Sequence, residues 1–179
     1  PDEIKILPAC FVVIGDTIEE AKMKRAKLDS LVHVDSAIAS LSIAIGSDAS
    51  RFELDKPLPE IPESNASKSG RSRAIALAKK ENLTVRQLAQ RLGGYSGAAM
   101  VGTPNSIVDE MQEWFESKGS DGFTIMFSHL PSGLEDFCDL VVPELQRRGL
   151  FRSKYLGKTL RENLGLPRPS NKYFLELFI

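Results

Sequence analysis

Strand and helix signals alternate between Val101 and Pro169, and this alternation constrains the fold more than any other feature of the chain. Thr103 is predicted to be the N-cap of a helix, and Pro104 its first residue. Proline is favourable at this position, because the N–H that it lacks would have no partner within the helix. A short apolar strand over 122–127 and a helix over 132–148 follow. Such alternation predicts right-handed βαβ units, whose parallel strands are buried between helices.

Two further strands are predicted from apolar runs, one over 4–14 and one over 98–101. Pro8 interrupts the first, and we expect a bulge or a change of direction there, since proline cannot donate to a sheet. The three strands are expected to be parallel, with both faces covered by helices or by a partner chain. A closed (β/α)8 barrel takes eight strands and about 250 residues. Three strands therefore predict part of a barrel, or half of an assembly with another chain.

Residues 46–97 interrupt the alternation and are predicted to form an insertion. Prolines and small polar residues predict a long irregular loop over 55–70. Short helices are expected over 71–80 and 84–92. We expect the loop to lie at the carboxyl ends of the strands, because a lid over a barrel must close there.

Composition narrows the function classes. With 179 residues and a net charge of -1, the chain lacks the basic excess of a general binder of nucleic acids or anionic membranes. Cys10 and Cys138 show no metal-binding spacing, so no metal site is predicted, and both thiols are expected to be reduced and buried. No long apolar run or secretory signal pattern is seen, which predicts a cytoplasmic protein. Pro1, with strand-like residues soon after it, predicts a piece of a larger protein.

Several short motifs, in this order and at this spacing, resemble one enzyme family; they are Leu58–Pro62, Leu83–Ala89, Val101–Pro104, Asp121–Phe123, Val141–Leu145 and Arg148–Phe151. The chain resembles the C-terminal end of the bacterial-luciferase-like flavin monooxygenases. Within that family it is most similar to the branch typified by nitrilotriacetate monooxygenase component A and the dibenzothiophene-sulfone monooxygenases. The resemblance runs from residue 4 to residue 169 and is densest after Gly102.

The resemblance implies an α/β fold that forms about the last three strands of a TIM (β/α)8 barrel over 1–169. It also implies the insertion at 46–97, with a lid-like loop. The tail at 170–179 departs from the family, because it is more apolar than a family terminus. The implied activity is an FMN-dependent monooxygenase of the two-component type. Such an enzyme uses O2 and reduced FMN from a separate flavin reductase to oxygenate a small organic or xenobiotic substrate. A homo-oligomer is expected for the intact enzyme.

Candidate site residues lie at two places at the carboxyl ends of the strands, because the active sites of barrel enzymes lie there. Gly102 and Thr103 form a turn whose free N–H groups suit the phosphate of FMN. The same turn is also a good helix start without any ligand. His129 follows the last strand and is a candidate catalytic group, because imidazole can donate or accept a hydrogen bond near neutral pH. The alternative is a loop histidine without a role.

Three cations beside the long loop, Lys68, Arg71 and Arg73, are candidate contacts for an anionic substrate or the flavin phosphate if the loop closes. A solvated charged surface is the alternative. Trp114 and Phe115 lie at helical spacing and are predicted to be core residues.

Two classes of function stay open at this point. The chain is either part of a flavin-dependent monooxygenase, or a non-catalytic remnant that acts only through association with a partner chain. A coding region for the earlier strands directly upstream would favour the first. Those missing strands would also set the choice of substrate.

Overall fold

The computed structural model describes residues 4–63, 65, 67–95, 98–171 and 173. Three strands run through it: β1 (Ala9–Ile14), β2 (Ala98–Gly102) and β3 (Thr124–Phe127). The first helices are α1 (Ile18–Ser30), α2 (Val34–Ile45), α3 (Lys68–Glu81) and α4 (Val85–Gly94), with a 3-10 turn at Ala49–Arg51. The later helices are α5 (Pro104–Glu116), α6 (Ser132–Asp136), α7 (Val142–Arg147) and α8 (Leu160–Asn163), with a π-helical turn at Phe137–Val141.

All three strands are parallel, as the alternation predicts. Strand β1 is shorter than predicted, because the chain enters it only after Pro8. Before that point, Ile6 bonds to Asp121 instead of to a strand: the Ile6 N–H donates to the Asp121 carboxylate at 2.8 Å, and the Asp121 N–H donates to the Ile6 carbonyl at 2.9 Å. The proline therefore marks the change of direction.

The order of the strands is β2-β1-β3, with β1 in the centre. In a closed barrel, strands that follow one another along the chain lie side by side. Here β3 neighbours β1 and not β2, so the α/β class and the parallel sheet are confirmed, while the strand order differs from that of a closed barrel. The two crossovers run in opposite directions, and since such crossovers are right-handed as a rule, we expect α1 and α5 to cover opposite faces of the sheet.

The two faces of β1 accordingly bury different partners. One face joins Cys10 and Val12 to residues of β2, α5 and the π-helical turn, namely Met100, Ile107, Val108, Met111, Phe137 and Val141. On the other face, the Phe11 ring stacks on Tyr95 with 3.7 Å between ring centroids, and the Arg25 guanidinium of α1 lies 5.1 Å from its centre. Both faces of the central strand are therefore covered, as predicted.

A second hydrophobic core lies apart from the sheet. It joins α2, α3 and α4 with the loop between them, and its fully buried members include Ala37, Leu41, Ile45, Ala49, Val85, Leu88 and Ala89. The helical unit therefore begins with α2, earlier than the predicted boundary at residue 46. It is tied to α1 by an ion pair of 3.2 Å between Arg91 and Asp29.

Three predicted burials are wrong. Trp114 is 38% exposed and Phe115 51%, because they follow the buried turns of α5 and reach beyond the sheet. Cys138 is exposed, since the π-helical turn directs Phe137 and Val141 inward instead; Cys10 is buried as predicted. The turn ends just before Pro143, where a break in the helix is expected. Most of the predicted tail, 172 and 174–179, lies outside the described residues.

Within the described ranges, no single helix is both long and apolar enough to cross a membrane. Taken together, α1 and α2 meet the length and composition criteria, but they are bent by 97° against each other.

Candidate site at the carboxyl ends of the strands

The carboxyl ends of β1 and β2 meet where their connections diverge. Ile14 lies opposite Gly102 in the sheet, and the Gly15 N–H donates to the Gly102 carbonyl at 3.1 Å. From here the chain enters α1 on one face and α5 on the other. Crevices between diverging connections are where open α/β sheets bind ligands. This edge is therefore the best-placed site for chemistry in the described chain.

The start of α5 is closed by its own hydroxyl groups. Thr103 Oγ1 accepts from the Ser106 N–H at 3.3 Å, and Ser106 Oγ donates to the Thr103 carbonyl at 3.1 Å. Pro104 at the start of the helix carries no N–H. A Cβ atom on Gly102 would collide with Ser106 Oγ, so an alanine here would force the Ser106 hydroxyl out of its place in the cap. The turn thus works as a helix cap, and it also leaves the positive end of a 13-residue helix facing the edge.

The side-chain cation Lys24 at this edge is already paired with a carboxylate and a carbonyl group. Lys24 Nζ donates to the Ile14 carbonyl at 3.0 Å and pairs with Glu20 at 2.9 Å. The hydrogen bond from Lys24, and then that from the Asp16 N–H, lower the pKa of Glu20. An anion here would therefore depend on N–H groups and the helix dipole more than on a free side-chain cation.

His129 lies beyond the end of β3 and is exposed. Its Nδ1 lies 2.7 Å from Ser128 Oγ, and its carbonyl accepts from the Gly133 N–H at 3.2 Å. The ring is thus held at Nδ1, which leaves Nε2 available to a ligand. Since β2 and β3 flank β1, His129 and Gly102 share one edge but are separated by two strand spacings, roughly 10 Å. A single ligand would have to span that distance to touch both.

The cations predicted beside a lid belong to the helical unit. Lys68, Arg71 and Arg73 lie on α3, which packs on α2 and α4. Arg71 donates to the Ile61 carbonyl and so fastens the loop to its own helix. The helical unit leaves α1 and returns to β2, and both points lie at the amino-terminal ends of the strands, since α1 runs back along β1. The lid role of these three residues stays a prediction.

Two contributors were missed from the sequence. Ser128 directly precedes His129, and that adjacency was the available signal for a hydrogen-bonded pair. No local sequence pattern indicated that Lys24 would contact Ile14, because this contact depends on how α1 packs on β1. Across the described part of the chain, no group of three or more His, Cys, Asp or Glu residues is arranged to hold a metal ion.

Curated relatives match almost the whole chain. It is 45% identical over 173 residues to nitrilotriacetate monooxygenase component A of Aminobacter aminovorans, covering 95% of the chain and 38% of the relative. N-acetyl-S-(2-succino)cysteine monooxygenase of Bacillus subtilis is 42% identical, with 97% and 40% covered. Dibenzothiophene-sulfone monooxygenase of Rhodococcus erythropolis is 34% identical, with 94% and 38% covered. No family model matches the chain.

Solved structures give the same result for the fold. DmoA from Hyphomicrobium sulfonivorans superposes with a TM-score of 0.73 at 31% identity, covering 90% of the chain and 34% of that structure. The EDTA monooxygenase from Chelativorans sp. BNC1 gives 0.61 at 36% identity, with 91% and 38% covered. The chain spans about two fifths of the length of the curated relatives it matches. In sequence and in fold, it corresponds to a segment of the luciferase-like monooxygenases, in the branch of nitrilotriacetate monooxygenase component A and dibenzothiophene-sulfone monooxygenase.

Proposed function

We propose that this chain is the C-terminal part of an FMN-dependent monooxygenase of the two-component type, which oxygenates a small organic substrate. The observation that carries the proposal is the match of 95% of the chain, at 45% identity, to nitrilotriacetate monooxygenase component A. The Bacillus subtilis relative is, by its name, a monooxygenase of N-acetyl-S-(2-succino)cysteine, which is a small organic molecule. One similar solved structure, a riboflavin lyase, is described with modified FMN, which supports a flavin as cofactor. Reduced FMN from a separate flavin reductase, and O2, would be the co-substrates.

In the whole enzyme, we propose that these strands complete a TIM barrel whose other strands come from the rest of the protein. All three strands are parallel, as barrel strands are. Their order is β2-β1-β3, so in the closed barrel β2 would have to move from the edge to pair between β1 and β3. Residues 1–169 would form this part of the barrel, with 46–97 as the insertion and 170–179 as the tail.

The edge at the carboxyl ends fits one part of the cofactor. Bound FMN would supply the chemistry of oxygen activation, while this chain would supply contacts. The positive end of α5, at Gly102 and Thr103, suits the phosphate group because a helix N-terminus favours an anion. His129 would offer Nε2 to the flavin or the substrate from the end of β3. The matched charge of Lys24 and Glu20 means that further donors must come from other parts of the enzyme.

A chimera tests the proposal. This chain replaces the matching segment of nitrilotriacetate monooxygenase component A, and the product is assayed with reduced FMN and O2. We expect a folded chimera that binds reduced flavin and oxygenates a substrate. A matched control carries a segment of equal length from an unrelated α/β protein. A chimera that folds but binds no flavin would contradict the proposal.

A second candidate function is association without catalysis. Apolar side chains line the open side of β3 and the segment before β1, with Ile4 71%, Ile6 61% and Met126 41% exposed. An open strand edge next to such side chains favours pairing with another chain. Sedimentation of the purified chain separates the two candidates, since self-association together with an inactive chimera would favour this one.

A further inference from the structure

A cavity of about 290 Å³ lies between β3, α5, α7 and the segment that follows α7. Its walls are mainly apolar and include Met111, Phe115, Phe123, Phe137, Leu145 and Leu150. Leu7 and Asp121, which precede β1 and β3, also line it. The cavity therefore lies towards the amino-terminal ends of the strands, away from the edge that carries Gly102 and His129.

Arg152 stands at the wall of this cavity as an available cation. Its guanidinium lies 5.3 Å from the ring centres of both Phe151 and Tyr155. Among the described residues, no carboxylate lies within ion-pair distance of it. The other charged wall residue, Asp121, is engaged by the Ile6 N–H at 2.8 Å and by Lys5 at 3.5 Å. The wall of the cavity is thus mainly apolar and carries two charged residues, Asp121, which is paired with Lys5, and Arg152, which has no carboxylate partner among the described residues.

One wall of the cavity is formed by irregular but well-packed backbone. Phe137 opens the π-helical turn and Val142 follows it, and both line the cavity. Phe137 is only 8% exposed and Val141 is fully buried, so the turn is held firmly. Single π-helical turns within a helix occur frequently at functional sites. The wide turn shapes this wall without leaving it loose.

We propose that this cavity binds a small organic anion with an apolar body, such as an alkyl or aryl carboxylate of roughly ten non-hydrogen atoms. The volume is close to the lower limit of about 300 Å³ for small-molecule pockets. The apolar body would be buried against the aromatic and aliphatic walls. The carboxylate would face Arg152, whose planar fork of donors matches carboxylate geometry. The site is independent of the proposed monooxygenase chemistry.

Titration of the purified chain with octanoate tests this proposal. Trp114 is the single tryptophan and lies edge-on to the wall residue Phe123, with 6.3 Å between ring centroids, so its fluorescence reports filling of the cavity. We expect saturation with a midpoint of about 1 mM or lower. Octanol, the uncharged match, should bind about tenfold more weakly, because it lacks the charge-assisted bond to Arg152. Calorimetry on the same samples detects binding that leaves the fluorescence unchanged.

Substitutions locate the site. Arg152→Gln should lower the octanoate affinity about tenfold and leave octanol unchanged. The control Arg147→Gln, at an exposed arginine paired with Glu144, should change neither. Leu145→Phe should weaken both ligands by filling the cavity, with circular dichroism as the check on folding. The proposal would be overturned by equal affinity for octanoate and octanol, or by titrations that do not saturate. It would also be overturned if binding were seen only in a variant that ends at Ser170, because the chain's own tail would then be the occupant of the cavity.

Discussion

Arg25 donates from Nε to Asp29 Oδ1 at 2.8 Å, and only 3% of its side chain is exposed. Burial lowers the pKa of Arg25, while Asp29 works against that shift by stabilising the charged form. Asp29 also pairs with Arg91 of α4. One carboxylate thus neutralises a buried charge under the sheet and links α1 to the helical unit.

Removing the Asp29 carboxylate should lower the stability of the fold. We expect Asp29→Ala to lower the free energy of unfolding by about 3–5 kcal/mol, since a buried charge loses its partner. Arg51→Ala serves as the control, because Arg51 is 83% exposed in its pair with Asp48, and it should cost no more than about 1 kcal/mol. Urea unfolding followed by circular dichroism measures both. Equal losses in the two variants would argue against a buried, paired Arg25.

Local signals predicted much of the fold. Thr103 caps α5 as predicted, and Thr84 and Gln87 form a capping box at the start of α4. Gly46 ends α2 in the left-handed conformation, which glycine adopts without strain. These features depend only on residues a few positions apart. The sequence therefore specifies the ends of most helices.

Other features required contacts between distant residues. Ser132 and Glu135 have the pattern of a capping box, yet α6 starts without a side-chain cap. Trp114 keeps helical spacing, but its burial depends on distant residues such as Phe123, which lies directly before β3. The central position of β1 follows from strand pairing across 88 residues with β2 (Cys10 with Ala98) and across 115 residues with β3 (Ala9 with Thr124). For the candidate site, the turn at Gly102 was visible in the sequence, whereas the contact of Lys24 with Ile14 was not.

Gly102 offers a test of what its turn is for. Gly102→Ala should cost about 1–3 kcal/mol, because the new methyl group collides with Ser106 Oγ. Ser106→Ala alone should cost about 1 kcal/mol through its lost hydrogen bonds. In the double variant we expect recovery of part of the first loss, measured by urea unfolding. In the chimera, flavin affinity that recovers with stability would favour a pure helix cap, and affinity that stays low would favour a phosphate contact.

The pair Ser128 and His129 predicts a fixed ring. Ser128→Ala should remove the bond at Nδ1 and mix the two neutral tautomers of His129. The ¹⁵N chemical shifts of the ring nitrogens report this, and His33, the other histidine of the chain, is the internal reference. An unchanged His129 spectrum would mean that the hydroxyl does not hold the ring.

The two cysteines should differ sharply in reactivity. Burial raises the pKa of Cys10 to about 11, whereas Cys138 is exposed. Because the folded pKa lies above the ordinary value of 9.0, the protonated thiol stabilises the fold below about pH 9, and this contribution is lost as the pH rises towards 11. A thiol reagent at pH 8 should therefore modify Cys138 and leave Cys10 unmodified. The substitution Cys138→Ser should abolish this modification. Rapid modification of Cys10 in the folded chain would contradict its burial.

Glu144 should make the fold sensitive to acid. Hydrogen bonds from Arg147 and Arg148 lower its pKa to about 2, and Arg148 also reaches Asp109 of α5 at 2.6 Å. Since the folded pKa lies below the ordinary value of 4.5, the stabilisation is present above about pH 4.5 and is lost as the pH falls towards 2. Glu144→Gln should lower the melting temperature at pH 7 and have little effect at pH 2. Glu144 is only 14% exposed, but its partner Arg147 is 71% exposed, so we expect a modest difference that high salt reduces further.

The isolated chain should bind FMN only weakly. A flavin site needs preorganised donors from several strands and a mouth that excludes water, and one edge of three strands offers neither completely. Following FMN fluorescence during titration, we expect half-saturation above about 10 µM for the chain alone. The chimera with nitrilotriacetate monooxygenase component A should bind more tightly, because its remaining strands supply the other donors. Riboflavin, which lacks the phosphate, should bind the chimera less tightly than FMN does, if the positive end of α5 faces that group. Low-micromolar binding by the isolated chain would mean that the edge at Gly102 and His129 is a complete flavin site, and the proposal that the rest of the barrel is required would fail.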